Sequence, residues 1–387
     1  MSVTAAEGFV AAGSACGIKV SGEPDLSLVA TADARSVAAA GVFTSNRMTA
    51  APVIVTHRHL AKTGGRAAAV ILNSGNANAA RGSAGEADAL AMCEITAHEL
   101  GCDPHEVLVC STGLIGIPLP IDRITAGIPE LVSRRGPDNG ADAAEAIRTT
   151  DTHRKEVVVT RNGFTVGGMA KGAAMLAPDM ATMLAVLTTD AAANPDQLHH
   201  ALAAGVAGSF NVLSTDGCQS TNDTVLLLAS GARGPIAPEL FEAMVAEACA
   251  ELAAQMAGDA EGATKVVRVT VTGAASDAEA STGARRVADS NLCKCSWYGQ
   301  DPYWGRIASE LGSAGIAFEP DRVGVSYGGI TVAAGGITID HDTAAVEAHL
   351  AGRYLEVGAD LGMGDGRGTI LTNDLTHAYI DENMGTS

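Results

Sequence analysis

A layered α/β fold, of the α+β kind, is predicted for this chain by three observations. Strand-like and helix-like segments come in clusters and not in strict βαβ alternation, which favours α+β layers over a doubly wound parallel sheet. Hydrophobic residues make up 47% of the 387 residues and charged residues 18%, a balance that supports a packed core and excludes a disordered chain. Aromatic residues are only 3% while Gly numbers 45, so the core is built from small and β-branched side chains that let sheets and helices approach closely. The length suffices for two or three packed domains.

The first 80 or so residues read as short strands: SLVATA (27–32), GVFTSN (41–46), PVIVT (52–56) and AAAVILNSG (67–75), each apolar or β-branched and ending in turn residues. GEADALAMCEITAHEL (85–100) is apolar at helical spacing and closes at Gly101. VLVCSTGLIG (107–116) reads as a buried strand running into a glycine-containing turn, and helical segments follow near 122–134 and 141–148. EVVVTRNGFTVGG (156–168) is hairpin-like, with Asn162-Gly163 as its turn. Helices near 196–207 and 238–257 then alternate with strands near 224–230 and 264–272, and the rest reads as shorter strands with one helix at 343–351.

Composition excludes several function classes. No apolar run approaches the ~18–20 residues of a membrane helix. The opening MSVTAAEGFV lacks a basic n-region, which leads to the expectation of a cytoplasmic protein without a secretory signal. The eight cysteines show no disulfide framework, and reduced thiols are the default. The net charge of −19 and the shortage of stacking aromatics argue against nucleic acid. That charge is uneven: residues 1–181 carry 15 basic and 18 acidic side chains, residues 182–387 carry 10 and 26. The second half therefore suits a cationic small molecule better than an anionic polymer, although ordinary solubility by itself explains the asymmetry better. There is no G-x-S-x-G elbow, Walker A loop or H-E-x-x-H. Cys293 and Cys295 form an isolated C-x-C, so no metal site is expected. GMGDGRG (362–368) reads as a turn, and Asp340, His341 and Asp342 as a helix start.

One segment does not fit a purely structural reading. MAKGAAMLAPDMATMLAVLTTD (169–190) passes from a Gly/Ala loop holding Lys171 through Pro178 into a strand-like run that opens at Thr182. A Thr hydroxyl is a weak nucleophile unless a base sits beside it, and one solution makes the Thr a chain N-terminus whose α-amine is the base. Such an amine titrates near ~7.7–8.0, which suits proton shuttling. From the residues alone, Thr182 is either this nucleophile or a strand-opening Thr.

The chain resembles the ornithine acetyltransferase / glutamate N-acetyltransferase family of arginine biosynthesis. The resemblance is carried by GVFTSN (41–46), LNSGNAN (72–78), STGLIG (111–116), TTDT (149–152), GGMAKGAAMLAPDMATML (167–184), STND (220–223), DAEGATK (259–265), DP-x-WGR (301–306) and NDLTHAY (373–379). It implies an αββα sandwich similar to self-cleaving N-terminal-nucleophile proteins, with a second α/β domain. It implies a cut between Ala181 and Thr182, giving an alpha chain 1–181 and a beta chain 182–387 that stay together, commonly as α2β2. Thr182 would then be the catalytic nucleophile of a ping-pong transfer of acetyl from N-acetylornithine to glutamate. The resemblance places the oxyanion donors at Thr112 and Gly113. It assigns substrate contacts to Thr149, Lys171, Thr182, Glu261 and Asn383, with Ser387 as the terminal ligand, and it implies no cofactor. Some relatives also take acetyl from acetyl-CoA, but the sequence holds no Gly-rich phosphate cradle that would report CoA binding.

Three departures bear on substrate choice. Ala174 stands where Gly is usual, restricting the backbone there. Tyr303 replaces an Asn with a gain in volume, and the tail ENMGTS lacks a Tyr and is one residue short, so Thr386 competes with Ser387. These departures motivate two alternatives: an acyltransferase of secondary metabolism, and a relative that binds a diamino acid without turnover.

Overall fold

The computed structural model describes residues 2–175 and 183–385. The chain forms two compact units, Met1–Asn211 with Cys218–Met256, and Val212–Gly217 with Ala257–Ser387. Strands β1 (Phe9–Ser14), β2 (Leu26–Thr31), β3 (Val37–Phe43), β4 (Arg66–Ala67), β5 (Ala69–Asn76), β6 (Val107–Leu114), β7 (Lys155–Arg161), β8 (Phe164–Lys171) and β9 (Leu184–Thr189) belong to the first unit. After the short β10 (Leu213–Ser214) of the second unit, β11 (Thr224–Ala229) returns to the first. Its helices are α1 (Ala51–Thr63), α2 (Gly82–Leu100), α3 (Ile121–Ser133), α4 (Gly140–Ala146), α5 (Pro195–Ala207) and α6 (Pro238–Gly258).

Two sheets stack in this unit, one ordered β1-β2-β5-β6 and the other β4-β3-β11-β9-β8-β7. Side chains alternate across each strand. Val29, Leu72 and Leu108 thus meet Leu184, Val186 and Leu226 between the sheets. Their neighbours Leu28, Ile71 and Val109 turn outward onto Val55, Met92 and Ile128 of α1, α2 and α3. On the far side, α5 lies against β3 and β11. Gly205 of α5 backs onto Cys249 of α6, and Leu252 of α6 reaches Gly168 of β8. The unit is therefore an αββα sandwich, and strands apolar on both faces are what a doubly covered sheet requires.

The second unit holds β12 (Val266–Ala274), β13 (Gly324–Tyr327), β14 (Ile330–Ala334), β15 (Ile337–Thr338), β16 (Tyr354–Asp360) and β17 (Gly366–Asn373), in the order β10-β17-β12-β16-β13-β14-β15. One face packs on α7 (Asp277–Ala288), α8 (Asn291–Tyr298), α9 (Gly305–Gly312) and α10 (Thr343–Ala351), and α11 (His377–Glu382) follows the last strand. Val267, Val269 and Val271 meet Ala284, Val287, Trp297, Ile307 and Leu311 in this core. Lys294 is buried here as a cross-tie, its Nζ donating to Thr215 O at 2.8 Å, Thr372 Oγ1 at 2.6 Å and Asn373 O at 3.0 Å. Burial lowers it to about 8. No described helix is long and apolar enough to cross a membrane.

Several expectations hold. The hairpin turn falls on Asn162 (φ 52°) and Gly163 (φ 84°), α2 ends on a left-handed Gly101, and Asp342 caps α10 through Ala345 N–H at 3.0 Å. Others need correction. PVIVT is the first turn of α1, because Pro52 fits a helix start and the β-branched face is buried against β6. The strand of GVFTSN stops at Phe43. The stretch expected as short strands after 272 contains α7, α8 and α9; α7 has Gly283 and two Thr/Ser and is held by packing, not propensity. Replacing Trp297, fully buried at the centre of the second core, by Ala should cost about 3–5 kcal/mol, read as a lower urea midpoint.

Candidate active site

One end of the sandwich collects most of the motif segments. The register sets Lys171, Leu184, Thr224 and Phe43 in a single row across β8, β9, β11 and β3. The preceding turn, Ser220–Asp223, is buried and ties that row to the other sheet. Asn222 Nδ2 donates to Ser111 O at 2.9 Å and Ala77 O at 2.6 Å, and its Oδ1 accepts the Thr221 hydroxyl at 2.6 Å. Thr44 Oγ1 donates to Ser220 O at 2.7 Å, and Ala50 N–H to Thr221 O at 2.9 Å. GVFTSN, LNSGNAN, STGLIG and STND are thus joined by one turn.

Thr112 is buried on β6, next to Ser111. Gly113 follows with φ +130°, in a bulge where β5 and β6 lose register. A Cβ there would lie 2.3 Å from the carbonyl carbon of Gly75, so only glycine fits. The expected turn is therefore the distorted last stretch of a strand. Among the described residues, Asn73 Oδ1, Asn78 Oδ1, Ser111 Oγ and Asp223 Oδ2 are buried without a hydrogen-bond partner. Buried polar atoms without a partner are uncommon in folded proteins and each calls for an explanation.

Lys171 is not in a loop: it ends β8 and is buried. Its charge acts on two buried carboxyls. Asp151 Oδ1 accepts Lys155 Nζ at 2.6 Å and Gly172 N–H at 2.7 Å, and Oδ2 accepts Thr149 N–H at 3.1 Å. Burial opposes ionisation of Asp151, but the charges of Lys171 and Lys155 and these hydrogen bonds outweigh it and hold the carboxyl below the usual range. Asp223 Oδ1 accepts Met183 N–H at 2.8 Å. Burial raises this carboxyl well above the ordinary value, against the Met183 amide, the Ser220 hydroxyl and the Lys171 charge. Two carboxyls pushed apart around one lysine are what acid–base chemistry uses. Thr149 is half-buried beside this cluster whereas Thr150 is exposed.

In the second unit, Glu261 and Asn383 meet, Asn383 Nδ2 donating to Glu261 Oε2 at 2.8 Å. Asp374 accepts Thr264 N–H at 2.9 Å and Lys265 N–H at 2.8 Å, and Thr376 Oγ1 donates to Gly262 O at 2.7 Å, so DAEGATK and NDLTHAY form one structure. Ala181, Thr182 and Ser387 lie outside the described residues. Tyr303 is 61% exposed, so its extra volume goes to solvent. Among the described residues after β8, Met175 is left-handed (φ 53°) and Ala174 is not. A groove of about 830 Å³ opens where β3 begins and β11 ends, between Ser36, Asn194 and Ser230, and none of the described site residues lines it. Asp151, Lys155 and Asp223 are not singled out by the sequence, although an acid two residues before the apolar run VLLLA is a signal.

The fold and site define a layered α/β protein with a buried, charged and incompletely satisfied polar end, a catalytic architecture and not a scaffold. The chain matches the ArgJ family over residues 10–385 and belongs to it. It is 48% identical over 389 residues to "Arginine biosynthesis bifunctional protein ArgJ" of Streptomyces coelicolor, covering 100% of both chains. It is 49% identical to the protein of that name from Mycobacterium tuberculosis, covering 100% of this chain and 96% of that one. A solved ornithine acetyltransferase from Mycobacterium tuberculosis, complexed with ornithine, is 48% identical over 46% of this chain and 94% of that one, with a TM-score of 0.44.

Replacing Asp151 by Asn removes the carboxylate that faces the buried Lys155 and Lys171 and should cost about 3–5 kcal/mol. Because the folded carboxyl titrates below its unfolded value, its contribution is full above about pH 4 and is lost as the solution is acidified further. The unfolding free energies of D151N and the unaltered protein should therefore converge in acid, as pH-resolved urea titrations would record.

Proposed function

We propose that this chain is a self-cleaving acetyltransferase of arginine biosynthesis that moves acetyl from N-acetylornithine to glutamate through an acetyl-Thr182 intermediate. Membership of the ArgJ family carries this reading, and the gathering of Thr112, Gly113, Lys171 and the head of β9 at one end of the sandwich supports it. In the cut, Thr182 Oγ attacks the Ala181 carbonyl, the peptide C–N bond breaks to leave an ester on Oγ and a free α-amine at Thr182, and water then hydrolyses the ester to the Ala181 carboxylate and the Thr182 hydroxyl. The two pieces stay joined because β8 and β9, on either side of the cut, pair over six residues of one sheet.

In turnover, Thr182 Oγ attacks the acetyl carbonyl while the α-amine takes its proton. The developing oxyanion is met by Thr112 and Gly113, in a wall that cannot relax because Gly113 abuts Gly75. The amine's proton goes to departing ornithine, and glutamate then collects the acetyl group. Under this reading Lys171 meets the substrate's carboxylate, Glu261 pairs the ornithine amine, and Thr149 and Asn383 are further substrate contacts. Acetyl-CoA is a further donor under this reading, as the word bifunctional in the relatives' name suggests. A cytoplasmic location and α2β2 assembly complete the proposal.

T182A should run as one intact chain in a denaturing gel and gain no acetyl group. The unaltered protein should give bands of roughly 18 and 21 kDa, 39.0 kDa divided in proportion to 181 and 206 of 387 residues, with an acetyl adduct on Thr182. A single 39 kDa band in fully active protein overturns the proposal. T112V should lower kcat by about 10²–10³-fold with little change in KM, as loss of an oxyanion donor does.

A further inference from the structure

Asp151 joins two segments that the chain keeps far apart. Its Oδ1 accepts Gly172 N–H at 2.7 Å and Lys155 Nζ at 2.6 Å, and its Oδ2 accepts Thr149 N–H at 3.1 Å. The backbone beneath it is fixed as well, because Arg148 Nε and Nη2 donate to Asp151 O at 3.1 and 2.7 Å. The sheet register explains this reach. Lys155 opens β7 and pairs with Ala170 of β8, so Asp151, just ahead of β7, stands beside the end of β8. Lys171 makes the last pairing of β8 with β9, at Leu184, and Gly172 carries the next amide along the chain. One carboxylate thus holds Thr149 by its own amide and Lys171 by the amide that follows it. Lys155 is 0% exposed and ties the carboxylate from within. Asp151 is unsuited to proton transfer, since the Lys171 and Lys155 charges and these hydrogen bonds outweigh its burial and keep it below the usual carboxylate range.

We propose that Asp151 is a positioning residue for the carboxylate end of the substrate, its two oxygens setting Thr149 and Lys171 at a fixed distance from each other. This rests on the acetyltransferase reading above. N-acetylornithine and glutamate each carry an α-carboxylate, so the same arrangement serves donor and acceptor. That carboxylate keeps its charge from ground state to transition state. A residue that sets its contacts therefore acts on binding and not on the chemical step.

The test is D151N. An Asn side chain has one accepting oxygen and a donating NH2 in place of the other, so it cannot hold both amides. KM for N-acetylornithine and for glutamate should rise about 10–100-fold, the worth of a hydrogen bond to a charged group. The accompanying fall in kcat should be less than about threefold. p-Nitrophenyl acetate is an acetyl donor without a carboxylate, and its rate of acetylating Thr182 should also fall by no more than about threefold. A merely structural role would lower kcat and the p-nitrophenyl acetate rate together and leave KM unmoved, and that result overturns the proposal. D151N/K155M removes the buried pair at once and should regain most of the stability lost in D151N. It should keep the raised KM, and a KM restored along with stability overturns the proposal. Should neither variant fold, hydrogen exchange in the unaltered protein decides. Ornithine should protect the segments carrying Thr149 and Gly172 together, and protection of one without the other, or of neither, overturns the proposal. If the unaltered protein shows no chain starting at residue 182 and no acetyl adduct, both proposals fall; if it is cut and acetylated while D151N keeps the unaltered KM, only this one does.

Discussion

The buried turn at residues 220–223 is the constraint on which the first unit depends. Two sheets can stack through apolar side chains alone, but where their strands end the backbone carbonyls of Ser111 and Ala77 would face a dry interior. A carbonyl left unpaired there costs about as much as a lost hydrogen bond. The single side-chain amide of Asn222 answers both, at 2.9 and 2.6 Å. It thereby fixes the end of β6, with Thr112 and Gly113, against the start of β11, with Asp223. The spatial relation of these groups follows from hydrogen-bond satisfaction and needs no flexible loop.

Buried charge in the two units has different consequences. Lys294 gives all its protons to carbonyl and hydroxyl oxygens, so it closes a structure and leaves nothing over. Around Lys171 the account does not close: Asp151 is fully engaged while Asp223 keeps an unmatched oxygen. A buried ion pair is seldom the most stable filling for its volume, because desolvation offsets the attraction. A cluster of two lysines and two carboxyls, one incompletely satisfied, is better explained by chemistry than by stability.

Legibility varied with how local the governing physics was. The Asn162-Gly163 turn, the Gly101 end of α2 and the Asp342 cap are set by a few neighbouring bonds, and sequence placed them. PVIVT was misread because a β-branched run fits a strand by propensity, whereas Pro52 and burial against β6 make it a helix. Lys171 was misread because Gly and Ala around it suggest a loop, whereas the pairing with Leu184 that makes it a strand end is visible only across the sheet. The motifs gather at one end of the sandwich, but Asp151 and Asp223 become notable only through partners at Gly172 and Met183.

By itself the sequence determined a layered α/β chain with a small-residue core, and through nine ordered segments it determined the family. Apolar patterning and residue identity are written along the chain, so they need no coordinates. The tertiary structure alone decided which polar groups share a dry space, which carboxyl is held below its ordinary range and which is pushed above it. Those properties arise from burial and distance between residues far apart in sequence, and neither quantity exists until the sheets have stacked.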